Sequence, residues 1–338
     1  MGGLTDLGLD VPDCDGALVR CAASLSPSSN FGTNRLDAGC SVSVVIPAFN
    51  SARFIRAAIE SALREAETGE VIVCDDGSTD ATSEIARRCG DCVRVLELPH
   101  VGNPAYARNA GVQAAKFDVV AFLDSDDVWM PGKLERQLTV LLHDPGIAFT
   151  CTNAYRRSSP NQPVQDMDLL LGPEGGSSPA LLDALILDNR VITSSVVARR
   201  AALMEAGLFS TSDDAAGVED YDLWLRVVAE GGRFVYIDEP WLVYRDWGTS
   251  HRDSISAMQT CENVLAALTR LEQRYPSVAV SHRRTIRRRR ALVHTEMSRA
   301  ARLQGDRRLA REMAVKALQS RPLFIDAWKS LAAALVLH

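Results

Sequence analysis

Short apolar runs alternate with amphipathic stretches from residue 41 to about residue 256. Runs rich in Val and Ile are typical of strands buried on both faces, and the amphipathic stretches between them are typical of covering helices. The pattern predicts strands over 42–46, 70–74, 93–96, 119–123, 147–151 and 234–237. It predicts helices over 52–64, 81–88, 106–115, 133–142 and 220–229. This order favours an α/β domain with a mostly parallel central sheet over residues 41–256.

The two flanks of this domain have different patterns. Residues 1–40 are rich in Gly, Asp, Ser and Asn without a sustained period, so we expect a flexible leader there. Residues 257–338 lack strand signals and predict an all-α C-terminal extension. Small and large residues recur in it at the spacing of a tetratricopeptide helix pair: Ala310, Ala317, Pro322, Trp328 and Leu331. A generic helical hairpin fits equally well, and either form is expected to pack on the domain or on another chain.

Composition and charge exclude several classes of protein. Apolar residues make up 46% of the chain and charged residues 24%, which is typical of a globular protein rather than a disordered or membrane-embedded one. The net charge of −6 gives no overall cationic field for nucleic acid. Cys89 and Cys92 form a C-x-x-C without a second ligand pair nearby, which disfavours a zinc site. No apolar run is long enough to span a bilayer, so we expect a cytoplasmic protein.

One local basic cluster stands out in the C-terminal extension. Six arginines lie within Arg283–Arg290. They fit a solvated helix face, and they also fit a surface that attracts anionic lipid head groups, which predicts peripheral association with the inner membrane face. Nucleic acid is disfavoured because the cluster lacks interleaved aromatic residues.

Polar motifs follow the first two predicted strands. The first strand runs into Pro47-Ala48-Phe49-Asn50, and the second ends in Asp75-Asp76-Gly77-Ser78. Ligands of open α/β sheets bind at the carboxyl ends of strands, where the loops form a crevice. Two adjacent carboxylates there can accept hydrogen bonds from a base and a ribose. The same residues also fit an ordinary tight turn followed by a helix cap.

The fourth predicted strand ends in a third acidic motif, Asp124-Ser125-Asp126-Asp127. Carboxylates two residues apart at a strand end can face one cation. A hard divalent ion held by few carboxylates keeps positions open for phosphate oxygens. The alternative is a loop of solvated acids.

Two helices carry further candidate residues. Arg108 lies among small residues, where its guanidinium could reach a phosphate or a base, or form a surface ion pair. Glu219 and Asp220 open an apolar helix. They could cap its N-terminus, or one of them could accept the proton of an acceptor hydroxyl.

Taken in series, these motifs resemble those of family 2 glycosyltransferases, which have the GT-A fold. The resemblance covers about residues 42–256 and rests on VVIPAFN, DDGSTD, ARNAG, FLDSDD and EDYDLWLR. It implies transfer of a sugar from a nucleotide-diphosphate donor with inversion, helped by Mg²⁺ or Mn²⁺. The acceptor could be a glycan, a lipid-linked sugar or a protein, in surface polysaccharide, glycolipid or protein glycosylation. Donor and acceptor specificity is expected in variable loops such as 158–179.

On the donor side the resemblance assigns a role to each matching residue. Pro47 would line the nucleotide pocket, and Asp75 or Asp76 would hold the base or ribose. Asp124 would lie near the ribose and donor sugar. Asp126 would be the principal metal ligand.

The remaining assignments concern the arginines and the base. Arg108 matches the family's nucleotide-contacting arginine, and Arg245 the arginine expected near the diphosphate. Glu219 and Asp220 match the acidic pair, in which Asp220 is the catalytic base.

The chain departs from the family pattern in two places. His100-Val101-Gly102 stands where the family often has Asn-x-Gly, and Trp247 occupies the place of a common histidine. His251 is the nearest histidine that could take its place. If it does not, metal binding would rest on Asp126, the diphosphate and water.

Two rival functions remain at this point. A nucleotidyltransferase is disfavoured because no Gly-rich loop with a basic residue follows the first strand. A non-catalytic scaffold with a partner-binding helical tail is disfavoured because every acidic position expected for chemistry is filled.

Overall fold

The structure is a computed structural model that describes residues 41–159, 162, 166–170, 178–180, 182–246 and 255–336. The expected leader 1–40, most of the loop 158–179, and both Trp247 and His251 therefore lie outside the described residues.

The first half of the domain alternates strands and helices as the pattern predicts. Its elements are β1 (Val42–Ala48), α1 (Ile55–Leu63), β2 (Thr68–Asp75), α2 (Thr82–Arg87), β3 (Val93–Glu97), α3 (Pro104–Ala114), β4 (Val119–Phe122), β5 (Val128–Trp129) and α4 (Lys133–His143). The strands β3, β2, β1 and β4 are neighbours in that order, and all their pairings are parallel. The carboxyl ends of β1, β2 and β4 therefore meet at one edge of the sheet.

The second half contains several short elements that the pattern does not reveal. It consists of β6 (Ile147–Arg157), β7 (Asp168–Leu169), β8 (Ser178–Ala180), α5 (Leu182–Leu187), a 3₁₀ turn (Thr193–Ser195), β9 (Val197–Arg199), α6 (Arg200–Glu205), a second 3₁₀ turn (Asp213–Ala215), α7 (Glu219–Ala229) and β10 (Arg233–Arg245). β9 lies between β4 and β6 and is antiparallel to both, whereas β6 and β10 are parallel. The sheet is thus parallel at one side and mixed at the other. A three-residue strand is too short to show a period in the sequence.

Helix α3 packs closely on the sheet because its contact residue is Gly111. A Cβ atom added there would lie 2.4 Å from Val45 Cγ1 and 2.9 Å from Cys74 Sγ. Such distances are far inside van der Waals contact. The glycine therefore lets the backbone of α3, and with it Arg108 one turn earlier, approach β1 and β2.

The C-terminal helices are α8 (Ala257–Arg274), α9 (Pro276–Ser281), α10 (Arg283–Leu303), α11 (Arg307–Ser320) and α12 (Ile325–Val336). Apolar residues of α8 and α10 belong to the same buried cluster as the sheet residues Val45 and Phe122 and as Trp224 of α7: Val264, Leu268, Leu271, Ile286 and Met297. The first C-terminal helices are therefore built into the core of the domain. None of the helices that the structure describes is long and apolar enough to cross a bilayer.

The contact at Gly111 gives a stability prediction. Gly111→Ala should lower the free energy of unfolding by about 1 to 3 kcal/mol, because the added methyl group overpacks α3 against Val45 and outweighs the gain in helix propensity. Urea unfolding measures the change. The control is Gln113→Ala, which alters an exposed position of the same helix. Equal stability of the two variants would contradict the close-packing explanation.

Candidate active site

Three loops at the ends of β1, β2 and β4 are joined by side-chain hydrogen bonds. Asn50 Oδ1 accepts from Thr79 N at 2.9 Å, which ties the first loop to the second. The hydroxyl groups of Ser51 and Ser125 lie 2.8 Å apart, which ties the first loop to the third. Asn50 has a φ of 46°, a left-handed conformation that asparagine tolerates. The loops thus form one connected rim at this edge.

The two acids that follow β2 bind groups of the protein itself. Asp75 accepts from Ser78 N at 3.1 Å and from the hydroxyl groups of Ser78 and Ser83. Asp76 accepts from Val101 N at 2.9 Å and Gly102 N at 2.8 Å. Both carboxylates are buried. These contacts match the interpretation of the motif as a tight turn, so contact of Asp75 or Asp76 with base or ribose stays a prediction.

An aromatic platform that the sequence pattern does not indicate lies beside this turn. The rings of Phe49 and His100 stack at 4.3 Å between centroids and 17° between planes, and Phe49 is 45% exposed. His100 Nδ1 lies 2.8 Å from the carbonyl oxygen of Asp76. Pro47 itself is buried within β1, in register with Cys74. An exposed flat ring at a strand end is a suitable stacking surface for a nucleotide base.

Arg108 brings three of the predicted residues into one network. Its Nη2 donates to Asp124 Oδ1 at 2.8 Å and its Nη1 donates to Glu219 Oε1 at 3.0 Å. The guanidinium is buried and lies over the ring of Phe209. Burial alone would lower the pKa of Arg108, but the carboxylates of Asp124 and Glu219 raise it. The arginine is therefore a fixed cation that connects β4 to α7.

The acids after β4 are crowded. Burial and the neighbouring Asp124 raise the pKa of Asp126 to about 6. Asp127 is fully buried and accepts from Arg245 N at 3.0 Å, while burial and the charge of Asp126 raise its pKa. The guanidinium of Arg245 lies 4.9 Å above the ring of Phe54 and close enough to lower the pKa of Asp126. Like charges that are held this close favour a bound cation.

The donor set fits a divalent metal ion that is held by few protein ligands. Within the described ranges no group of three or more His, Cys, Asp or Glu side chains could hold a metal. Residue 126 is partly exposed, and the oxygen ligands of a carboxylate suit Mg²⁺ and Mn²⁺. Such an ion would be held by Asp126, with its other positions open to phosphate oxygens and water.

Asp220 lies at the first turn of α7 with both carboxylate oxygens hydrogen-bonded. Oδ2 accepts from Thr193 Oγ1 at 2.9 Å, and Oδ1 accepts from Tyr221 N at 2.6 Å and from Asn189 Nδ2 at 3.4 Å. Burial and the adjacent Glu219 raise the pKa of Asp220 to about 6, while Arg108 and Thr193 lower it. The residue as a whole is partly exposed. A carboxylate with a pKa near neutrality suits a general base.

Comparisons with known proteins bear on the family of the chain. Residues 43–203 match the family model described as Glycosyl transferase family 2. The chain is 30% identical over 192 residues to the Escherichia coli protein WfaP, a UDP-Glc:alpha-D-GlcNAc-diphosphoundecaprenol beta-1,3-glucosyltransferase, and that match covers 56% of this chain and 71% of WfaP.

The chain belongs to glycosyl transferase family 2.

A second family 2 relative is the succinoglycan biosynthesis protein ExoU of Rhizobium meliloti (strain 1021). The two are 31% identical over 209 residues, which is 58% of this chain and 59% of ExoU. The matched region thus spans a little more than half the length of that relative.

Solved structures show that this family 2 chain has the GT-A fold. TarS 1–349 of S. aureus in complex with UDP-GlcNAc superposes with a TM-score of 0.59 at 15% identity, over 87% of this chain and 90% of that one. The mannosyltransferase PcManGT from Pyrobaculum calidifontis, in complex with GDP-Man and Mn²⁺, gives 0.53 at 15% identity, over 96% and 88%. The expected fold class, a GT-A domain with a C-terminal helical segment, is therefore confirmed.

The bridging role of Arg108 gives a second prediction. Arg108→Lys should lower the free energy of unfolding by about 2 to 3 kcal/mol, because one ammonium group cannot replace the buried guanidinium fork that pairs the buried Glu219 and the partly exposed Asp124. The control is Arg87→Lys, at an exposed ion pair with Glu97, where a change within about 0.5 kcal/mol is expected. Chemical denaturation measures the free energy of unfolding of both variants. Equal losses in the two variants would contradict the bridging role of Arg108.

Proposed function

We propose that this family 2 chain transfers a sugar from a nucleotide-diphosphate donor to a hydroxyl acceptor with inversion at the anomeric carbon. The observation that carries the proposal is the network through Arg108. It joins Asp124, which follows the carboxyl end of β4, to Glu219, whose neighbour in the chain is the partly exposed residue Asp220. A donor site and a base on opposite sides of one reacting carbon are what a single displacement requires.

The relatives' names suggest the class of substrates. WfaP uses UDP-Glc and a diphosphoundecaprenol-linked acceptor by name, and ExoU acts by name in succinoglycan biosynthesis. By analogy, we infer a nucleotide-sugar donor, a lipid-linked or glycan acceptor and a role in cell-envelope polysaccharide synthesis. The stacked ring of Phe49 supports a nucleotide base at this edge.

The proposed mechanism follows from the charges at the site. Asp220 accepts the proton of the acceptor hydroxyl as that oxygen attacks the anomeric carbon. Arg108 holds Asp124 and Glu219 in place, and Arg245 supplies positive charge beside Asp126. A divalent ion at Asp126, when bound, would neutralise the departing diphosphate.

The base assignment is tested by Asp220→Asn, which keeps the size of the side chain but cannot accept the proton. Transfer should fall by at least about a hundredfold, while the Kd for the nucleoside diphosphate stays within about twofold. Turnover comes from nucleoside diphosphate release in the presence of acceptor, and binding from calorimetry. Near-normal turnover in the variant would show that another group is the base.

The same titrations test the metal assignment with Asp126→Ala. Mg²⁺ or Mn²⁺ should tighten nucleoside diphosphate binding to the parent protein but not to this variant. Asp144→Ala is the control, since Asp144 is an acid at the end of α4, paired with Arg233. A metal effect that persists in the Asp126 variant would contradict the assignment.

We also propose peripheral association with an anionic membrane through α10. Four of the six arginines, at positions 283, 284, 287 and 288, are exposed and recur at four-residue spacing along one side of the helix. Arg290 instead pairs with Glu272 at 2.6 Å, and Arg289 faces Tyr221 of α7, whose pKa its charge lowers. The exposed arginines supply the charge, and the other two hold α10 on the domain.

Apolar side chains at the same end of the helical segment support this proposal. Ser298 of α10 donates to the carbonyl oxygen of Ala310 in α11, and Lys316 of α11 lowers the pKa of His294 in α10. An earlier residue of α10 thus faces a later residue of α11, so the two helices are antiparallel. This direction brings the turn between α11 and α12 to the level of the exposed arginines. Leu323 in that turn is 93% exposed, and Ile325 and Trp328 of α12 are also exposed. Cationic and apolar groups that are exposed at the same end of the helical segment suit binding at a lipid interface.

The membrane proposal is tested by changing the four exposed arginines of α10 to glutamine. Truncation is unsuitable because α8 and α10 share the core of the domain. Each basic residue near an anionic surface contributes about 1 kcal/mol, so sedimentation with phosphatidylglycerol-containing vesicles should weaken by more than about tenfold. The control changes four exposed arginines elsewhere, at positions 56, 64, 87 and 88. Equal binding of both variants, or binding to pure phosphatidylcholine, would contradict the proposal.

A further inference from the structure

The 3₁₀ turn Thr193–Ser195 touches both halves of the active site through adjacent residues. Thr193 Oγ1 donates to Asp220 Oδ2 at 2.9 Å. Ser194 Oγ accepts from Asp124 N at 3.0 Å. All three residues of the turn are buried.

The turn is anchored at several points. Ser195 N donates to Ile192 O at 2.8 Å and Val196 N to Thr193 O at 3.0 Å. Outside the turn, Trp129 Nε1 donates to Ser194 O at 2.8 Å, and Phe122 N donates to Val196 O at 3.1 Å. The turn is thereby fastened to β4 and β5, on both sides of the acidic motif 124–127. A side chain that projects from it has a fixed position relative to that motif.

We propose that Thr193 and Ser194 are positioning residues that set the acceptor base relative to the donor-side carboxylates. Thr193 acts through Asp220, and Ser194 acts through Asp124. The inference rests on the proposed transfer reaction and adds to it the part of the chain that aligns its two halves.

The hydroxyl of Thr193 has two effects on the base. It fixes the rotamer of the Asp220 carboxylate, which on the other oxygen is held by the backbone of Tyr221 and by a long bond from Asn189. It also stabilises the charged form of that carboxylate. Burial and the charge of Glu219 raise the pKa of Asp220, whereas Thr193 and Arg108 of α3 lower it. Because the hydroxyl uses one lone pair of Oδ2, other lone pairs stay available for the acceptor proton.

Ser194 has a different effect because its hydroxyl oxygen accepts from the backbone of Asp124, and the same side chain lowers the pKa of the buried Asp127 carboxyl rather than that of Asp220. The N–H of Asp124 is the second donor beyond the end of β4, after that of Leu123, and Ser194 accepts from it. This bond fixes the direction in which the chain leaves the strand, and therefore where the carboxylates of Asp124 and Asp126 lie. Its loss should disturb the donor side and leave the base in place.

The test compares Thr193→Val with Thr193→Ser. Valine keeps the shape and removes the donor, so kcat should fall by about ten- to a hundredfold with an unchanged KM for the donor, as expected when a reacting group is misplaced. Serine keeps the donor and should restore kcat to within about threefold. The matched control is Thr295→Val, which removes a buried threonine hydroxyl that bonds Ala291 O in α10. It should leave kcat unchanged.

Ser194→Ala completes the comparison. It should raise the Kd for nucleoside diphosphate with a smaller effect on kcat, which is the opposite split from Thr193→Val. If both variants change kcat and Kd in the same proportion, the turn has only a structural role and the proposal is wrong. Failure of serine at position 193 to restore kcat would contradict the proposal as well.

A readout without turnover separates this inference from the proposed reaction. The pKa of the Asp220 carboxyl can be followed by carbon NMR with labelled aspartate, with Asp220→Asn identifying the resonance. Loss of the Thr193 donor should move that pKa upward from about 6. An unchanged pKa in Thr193→Val would overturn the proposal even if the wild type proves active. Absence of transfer in the wild type would instead count against the proposed function alone.

Discussion

The buried guanidinium of Arg108 is the interaction on which the site depends. Two carboxylates, from β4 and from α7, approach each other within the domain, and like charges in a poorly solvated place repel strongly. A single planar cation that donates through both of its terminal nitrogens compensates both. Without Arg108, Asp124 after β4 and Glu219 at the start of α7 would each lose their ion-pair partner. The close packing of α3 at Gly111 is the geometric condition for this, since it brings the arginine's helix against the sheet.

Much of the first half of the fold could be predicted from the sequence, and the reason is local. The strands β1, β2 and β4 are mainly apolar runs with a polar motif directly after each, and amphipathic stretches separate them, so the edge that carries the motifs follows from parallel pairing. The helix predicted over 52–64 begins three residues later in the structure, because Ser51 and its neighbours form a turn that accepts hydrogen bonds from Phe54 and Ile55. Such differences lie in the usual uncertainty of helix ends.

The second half was harder to predict because its important contacts are short elements or distant pairs. Glu219 stands 111 residues after its partner Arg108, and no local pattern indicates the pair. Thr193, Ser194 and Asn189 are small polar residues in an irregular segment. In the sequence, such residues cannot be distinguished from those of an ordinary surface loop. Asp75 and Asp76 illustrate the reverse case: their motif was easy to find, yet the structure shows their carboxylates accepting from the protein's own backbone and serines. A sequence motif therefore indicates where a site lies more readily than it indicates the hydrogen-bond partners of its atoms.

The helical segment after residue 256 shares its buried apolar side chains with the sheet. Arg270 of α8 pairs with Asp222 of α7 at 2.8 Å, and His282 next to α10 lies 2.9 Å from Asp183 of α5. The helix that carries Asp220 therefore has the sheet on one side and the C-terminal helices on the other. Because the domain and the extension share one core, a ligand that binds the folded domain also stabilises α10, the helix that carries the arginine cluster. By the same linkage, a surface that binds α10 would in turn stabilise the packing of α7, the helix that carries Asp220.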